Sequence, residues 1–392
     1  MRPKTVMIVA GDPSGDANAA KLVTAFSASL VRLQPGSPTI PPRFIGAGGP
    51  KMAEAGVELS FNLTDDAVIG PTDVLAKLGL FWRRYRELVA LAIRTQPELI
   101  ILVDFYTFNQ RLAHAIKQHT RKQANQPGIW QPKIVQYTSP QVWGSRPWRA
   151  KKLARDIDLL LCLFPFEKAW YAQRGTPLQV EYVGHPMLDT PPLHPALSAG
   201  DPVVLLLPGS RRGELKRHLP LMLNAARAIA VRQQVRFILV APDQTLAGYA
   251  RSFLLPGLPK IEIQVGLLNE ALAAATLAIA STGTVTLECA YYSLPTIALY
   301  KTSAITAQLA RWLITVKYLA MPNLLAGEPV FPEFIQEQAT AENIARSAID
   351  LLENPNRRTE IRLKLAQAIA TLGGPGSIHR ASAAILQLMS SA

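Results

Sequence analysis

Residues 209–214 read G-S-R-R-G-E, an arginine pair inside a Gly/Ser turn that follows the apolar run V-V-L-L-L. A buried strand running into such a turn and then into a helix aims free backbone N–H groups and the positive helix end at one point, which suits phosphate. Gly209 and Ser210 form the turn, and Arg211 and Arg212 add charge. Two cations at a positive helix end are unfavourable unless an anion offsets them, so phosphate binding is preferred over a solvated cap made by Ser210 and Glu214. A second turn, S-T-G-T-V-T-L-E at 281–288, follows another apolar run and offers Gly283 and Thr284 as donors. Glu288 is either an acceptor for the paired hydroxyls of a ribose or a helix-surface acid, and composition leaves the two even.

The first half carries acids at comparable places. Asp104 ends the apolar run L-I-I-L-V. Ligands of open α/β sheets bind at the carboxyl ends of strands, where a partly desolvated acid serves as a general base. The other reading of Asp104 is a cap for a helix beginning near Asn109. Residues 6–16, V-M-I-V-A-G-D-P-S-G-D, form another strand-to-turn signal, in which Asp12 and Asp16 flank Ser14 and Gly15. Acids there disfavour phosphate and suit sugar hydroxyls or simple capping. His185 follows Gly184 at a strand end, level with a ligand cleft, although a lone histidine is more often structural. His114, His119 and His218 are expected on helix surfaces. Asp156-Ile157-Asp158 has the form of a D-x-D metal motif but precedes a strand instead of ending one, so no metal is expected.

These residues need a scaffold of strands and helices to hold them. Strand character falls at 6–10, 43–46, 99–103, 133–137, 159–163 and 180–183, with helices at 18–33, 81–95, 109–120 and 167–174. Continuous apolar strands separated by helices predict an α/β protein with parallel sheets covered on both faces. The pattern stops in a Pro-rich segment, 186–202, and restarts with strands at 203–207, 236–240, 261–265, 277–280 and 296–300. The expected organisation is an N-terminal domain over 1–185, a linker over 186–202, a second domain over 203–350, and C-terminal helices over 351–392 that pack back on the first domain.

The chain has 392 residues, 49% hydrophobic and 18% charged, and a formal net charge of +13. That excess points to anionic partners, but no aromatic-interleaved basic run or helix-turn-helix pattern favours nucleic acid. Cys162 and Cys289 lie in apolar runs and read as buried thiols. No secretion signal or membrane-length apolar run is visible, so a cytoplasmic protein is expected. Residues 74–91 mix Leu78, Phe81 and Trp82 with Arg83 and Arg84, either as an amphipathic helix lying in an anionic headgroup layer or as an ordinary helix with one buried face. Basic and aromatic residues at 148–155 and 310–319 add two similar clusters.

Read together, eight stretches resemble the lipid-A-disaccharide synthase family. They are V-A-G-D-P-S-G-D (9–16), F-I-G-A-G-G-P-K-M (44–52), Y-T-S-P-Q-V-W-G (137–144), L-F-P-F-E-K (163–168), V-G-H-P (183–186), L-L-P-G-S-R-R-G-E (206–214), T-G-T-V-T-L-E-C (282–289) and M-P-N-L-L-A-G (321–327). The resemblance implies a GT-B fold, two Rossmann-like domains facing across a cleft, and inverting transfer without metal or other cofactor. It implies transfer of 2,3-diacylglucosamine from UDP-2,3-diacylglucosamine (UDP-diacylglucosamine) to diacylglucosamine 1-phosphate at the inner membrane. By the same resemblance, Gly209, Ser210, Arg211, Gly283, Thr284, Glu288 and Asn323 hold the UDP-sugar and Asp104 is the candidate base. Asp12, Ser14, Gly15 and His185 are then acceptor or cleft residues, and a homodimer remains open. The sequence departs from the family pattern at Asp12-Pro13, at Thr107 and at Gly144-Ser145.

Three other classes fit parts of the sequence. A UDP-N-acetylglucosamine 2-epimerase shares GT-B architecture but has no need of the amphipathic 74–91 stretch. A dinucleotide oxidoreductase would need G-x-G-x-x-G where Pro13 and Ser14 stand. A non-catalytic lipid-binding protein leaves the arginine-bearing turn unexplained.

Overall fold

The structure, a computed structural model, describes residues 4–32, 42–64, 74–123, 128–193 and 200–390. The described residues form two compact units. One runs up to Thr190 and resumes at Gly374; the other lies within Pro191–Gly373.

In the first unit, strands and helices alternate as β1 (Thr5–Ala10), α1 (Pro13–Arg32), β2 (Arg43–Gly48), α2 (Pro50–Glu54), β3 (Glu58–Asn62), α3 (Val74–Thr95), β4 (Leu99–Val103), α4 (Tyr106–Lys122), β5 (Lys133–Tyr137), α5 (Val142–Ser145), α6 (Arg149–Asp156), β6 (Leu159–Cys162), α7 (Pro165–Ala172) and β7 (Gln179–Tyr182). The strands form a parallel sheet in the order β3-β2-β1-β4-β5-β6-β7. Both faces of β1 are buried. Val6, Ile8 and Ala10 join a core with α1, while Met7 and Val9 join a core with α3, α4 and α6. Such two-sided burial explains why these strands read as unbroken apolar runs.

The second unit contains β8 (Val203–Leu207), α8 (Arg212–Arg232), β9 (Arg236–Ala241), α9 (Gln244–Arg251), β10 (Ile261–Val265), α10 (Leu268–Ala274), β11 (Leu277–Ser281), α11 (Thr284–Tyr291), β12 (Thr296–Tyr300), α12 (Ala304–Leu313), α13 (Met321–Ala326), β13 (Glu333–Ile335), α14 (Ala341–Glu353) and α15 (Pro355–Ala370). Its parallel sheet runs β10-β9-β8-β11-β12-β13. Ile344 and Leu351 of α14, with Ile361 and Leu365 of α15, belong to the core of this unit.

The last helix, α16 (Ser377–Ser390), packs against α1 of the first unit. Asp189 fixes its start, with the carboxylate accepting from Gly376 N at 2.6 Å, Ser377 N at 3.0 Å and Ser377 Oγ at 2.7 Å. Burial pushes this carboxyl up, but the Ser377 hydroxyl and the backbone N–H groups outweigh burial and hold it below its ordinary range. Arg380, one turn on, donates from Nε to Val183 O at 2.8 Å.

The sequence reading starts α1 too late. The helix begins at Pro13 because Asp12 caps it, with Gly15 N donating to Asp12 Oδ1 at 2.7 Å. The reading also misses β3 and β13, short edge strands with polar residues such as Glu58, Ser60 and Glu333. Cys162 and Cys289 are both free and buried. Among the described residues, no helix is long and apolar enough to cross a membrane.

Candidate functional site

Both sheets reverse their strand order at one point, between β1 and β4 in the first unit and between β8 and β11 in the second. Loops leaving the two strands at such a point diverge and leave the carboxyl ends uncovered, which is where ligands of these sheets bind. The sequence places its chemistry-bearing turns at both points.

In the first unit, Ala10 pairs with Val103, so Gly11 and Asp104 follow on neighbouring strands. The chain turns sharply there, with Asp104 at φ +48° and Phe105 at φ +37°. Gly11 must lack a side chain, because a Cβ would lie 2.3 Å from the Phe105 ring. A Cβ on Gly15 would lie 3.3 Å from Asp12 Oδ1 and 3.4 Å from Asp104 Oδ2, which puts this glycine beside both acids. Asp104 does not cap α4, whose N-cap residue is Phe105 and whose start has no side-chain cap. Its Oδ1 accepts instead from Thr138 Oγ1 at 2.6 Å. Burial raises the Asp104 carboxyl to about 6, opposed by the Thr138 hydroxyl and assisted by the nearby Asp12 charge. The result is a carboxylate poised to take up a proton near neutrality.

The other first-unit candidates divide into an exposed residue and residues held by hydrogen bonds within the fold. Ser14 is exposed on the first turn of α1. Asp16 is buried and accepts from Gly49, Lys51 and Met52 N–H groups, so it fastens the start of α2. His185 Nδ1 accepts from Met187 N at 3.2 Å, and burial lowers the imidazole to about 4, leaving it neutral. Asp156 is engaged by Arg155, Gln110 and His114, and Asp158 by Lys117 and Ile134 N.

Glu167 is a buried acid that no local pattern in the sequence singles out. It is buried in α7 and accepts from Trp143 Nε1 at 2.9 Å, Phe164 N at 3.0 Å and Leu163 N at 3.1 Å, while burial raises it to about 7. Thr138 likewise carries no local signal of its role. Both stand inside the quoted stretches, Y-T-S-P-Q-V-W-G and L-F-P-F-E-K, and no local pattern there marks the partners each takes in the fold.

The second unit builds its turn differently from the expected Ser210 cap. Arg211 is the residue before α8, and no side chain caps the helix. Glu214 Oε2 accepts from Ser210 N at 2.9 Å, and Glu214 Oε1 accepts from Arg211 at 3.1 Å. Gly209 takes φ +123° against Glu214, and any Cβ there would lie 2.4 Å from Oε2. The Arg211 side chain is 77% exposed, whereas the Arg212 guanidinium lies 4.4 Å over the Tyr249 ring. Arg211 is therefore an exposed cation of the turn, paired with Glu214, and Arg212 is held against an aromatic ring.

His218 is not a surface residue. It is buried beneath the turn, with Nδ1 donating to Pro208 O at 3.0 Å and Nε2 accepting from Lys301 N at 3.1 Å. Gly283 and Thr284 are exposed at the start of α11, and Thr286 Oγ1 donates to Gly283 O at 2.7 Å. Glu288, one turn along, is half-buried and its carboxyl is raised by burial, with no side-chain hydrogen bond to that carboxyl among the described residues. Asn323 is fully buried. It donates to Phe331 O and Glu333 Oε1 and accepts from Phe331 N, which makes it a staple for α13.

Along α3, Phe81 is half-buried with its ring 6.3 Å from Phe105, and Arg84 lies 4.2 Å over the Phe61 ring. Trp82, 52% exposed, and Arg83, exposed beside Glu87, form the outer face. The side chain of Leu78 lies outside the described residues.

The family model described as lipid-A-disaccharide synthetase matches residues 6–388. A lipid-A-disaccharide synthase of Geobacter metallireducens is 36% identical over 399 residues, covering 98% of this chain and 97% of the relative. Among solved structures, CalG4, the calicheamicin glycosyltransferase, matches with TM-score 0.58 at 15% identity, covering 100% of this chain and 99% of its own. The UDP-GlcNAc 2-epimerase of Neisseria meningitidis, solved bound to UDP-GlcNAc, matches with TM-score 0.58 at 11% identity, covering 99% and 100%. At these identities the two structures speak for the fold alone, the GT-B type with two Rossmann-like units. The family match and the full-length relative go further: the chain belongs to the lipid-A-disaccharide synthase family.

Proposed function

We propose that this chain, by its family a glycosyltransferase of lipid A biosynthesis, transfers 2,3-diacylglucosamine from UDP-2,3-diacylglucosamine to the 6-hydroxyl of 2,3-diacylglucosamine 1-phosphate with inversion. The observation that carries the reading is Asp104, a desolvated acid at the reversal point of the first sheet with Thr138 on one oxygen. Its carboxylate takes the acceptor hydroxyl proton as the acceptor oxygen bonds to the sugar C1. The C1–O bond to UDP breaks, and its electron pair leaves on the β-phosphate. Arg211 and the Gly283-Thr284 turn stabilise that anion, with Gly209 and Ser210 shaping the turn that carries Arg211, and Glu288 accepts from the ribose hydroxyls. Asn323 supports this half without touching the donor. Mass spectrometry after incubation with both lipids tests the reaction: a disaccharide 1-phosphate plus UDP is expected. Epimerised UDP-N-acetylglucosamine without disaccharide would replace this reading with the epimerase one.

A lipid acceptor also requires work at a surface, and we assign the contact to the outer face of α3, with Trp82 inserting beside Arg83. Basic residues near an anionic leaflet contribute about 1 kcal/mol each before screening. Binding to phosphatidylglycerol vesicles should weaken with salt, and Trp82→Ser should weaken it further. Absence of binding at low salt would return α3 to the role of a packed helix.

Arg211→Ala should weaken UDP binding by ~10–100-fold, the loss of about 1.5–3 kcal/mol for a hydrogen bond to a charged group. Calorimetry that finds the same UDP affinity would remove Arg211 from the donor site.

Asp104→Asn should lower kcat by ~10²–10⁴-fold while UDP affinity persists. It should also stabilise the fold above about pH 6, by on the order of 3 kcal/mol, because a carboxyl raised by burial favours the neutral form in the folded state. Below about pH 4 the wild-type carboxyl is protonated whether folded or unfolded, and that advantage should vanish. As pH rises from there to about 6 the unfolded chain ionises first, and wild-type stability falls relative to the variant. Full activity in the variant would place the base elsewhere, with His185 and Asp12 next to test.

A further inference from the structure

Asp104 and Phe105 are two consecutive non-glycine residues in left-handed backbone, an arrangement that bulky side chains resist and that persists only where surroundings over-determine it. Their surroundings contain two buried amides. Asn109 Nδ2 donates to Val103 O and to Asp104 O, each at 3.1 Å. Gln136 Nε2 donates to Asp104 O at 3.3 Å and to Thr138 O at 3.1 Å. Asn109 is fully buried and Gln136 nearly so. The carbonyls fix which end of each amide is nitrogen, since an amide oxygen cannot face two carbonyl oxygens. Each amide oxygen is buried without a partner among the described residues. A buried amide with an idle acceptor is a poor way to stabilise a core. What the pair supplies is donors, all directed at the backbone around Asp104 and at Thr138, the residue whose hydroxyl meets the Asp104 carboxylate.

We propose that Asn109 and Gln136 are positioning residues for the transfer step, clamping the Asp104–Phe105 turn and the Thr138 segment so that the Asp104 carboxylate stays aimed between Thr138 and the Asp12–Gly15 turn. The proposal rests on Asp104 being the base. Neither amide touches substrate; both act through the backbone that carries Asp104. Displacement of a reacting group by about 1 Å costs on the order of 10²-fold in rate.

The test is a double-mutant cycle on kcat at saturating substrates, using Asn109→Ala, Asp104→Asn and the pair, with UDP affinity and Tm measured on each. Asn109→Ala should lower kcat by ~10–100-fold with UDP affinity within about twofold of wild type, and should cause little further loss once Asp104 is asparagine. Equal losses in both backgrounds, or no loss in the wild-type background, would overturn the proposal while leaving Asp104 as base. If Asp104→Asn itself does not lower kcat, the reading of Asp104 fails and the proposal with it. Should Asn109→Ala fail to fold, Gln136→Met, which keeps the volume and removes the donor, takes its place in the same cycle. Failure of both to fold would assign the amides to stability and overturn the proposal.

Discussion

Each unit is organised by the reversal of strand order in its parallel sheet. Backbone N–H groups and carbonyls at the carboxyl ends of β1 and β4, or of β8 and β11, run out of ladder partners where their loops part, and something else must satisfy them. In the first unit, buried amides and a left-handed turn do so and leave Asp104 at the edge of the exposed end. In the second, Glu214 meets the Ser210 N–H and Arg211, while His218 ties Pro208 to Lys301 from beneath. The candidate site residues sit where the sheet cannot complete its own hydrogen bonding.

That constraint sets stability against function in the first unit. An acid held in a desolvated, left-handed turn destabilises the folded state, and the surrounding structure offsets this. Gly11 and Gly15 yield space, Thr138 supplies one hydroxyl, and two apolar cores hold β1 and β4. The Asp189 cap and Arg380 attach α16 to the same unit by charge-assisted hydrogen bonds, so the last turns of the chain contribute to the packing around α1.

Much of this was legible in the sequence because the central strands are buried on both faces and read as continuous apolar runs, each ending in a turn with unusual composition. The G-S-R-R-G-E and S-T-G-T turns and Asp104 stand out for that reason. Edge strands β3 and β13 did not, since a half-covered strand mixes polar with apolar residues and loses the signal. Helix periodicity places His218 on a surface because it does not reveal that the Pro208 carbonyl and the Lys301 N–H are aimed at its ring. Asn323 stands in a family stretch, yet its amide serves Phe331 and Glu333, eight and ten residues further along the chain. Asn109, Gln136, Thr138 and Glu167 take their roles from neighbours distant in sequence, so no local pattern marks them.

The central claim is that burial at the reversal point of the first sheet holds the Asp104 carboxyl in its proton-accepting range. Carbon-13 NMR of protein labelled at the aspartate side-chain carboxyl measures this directly, with the resonance lost in Asp104→Asn giving the assignment. A titration midpoint of about 6 for that resonance is the predicted result. A midpoint at or below the ordinary aspartate value of about 4 would contradict the account, because Asp104 would then be a solvated acid with no advantage as a base.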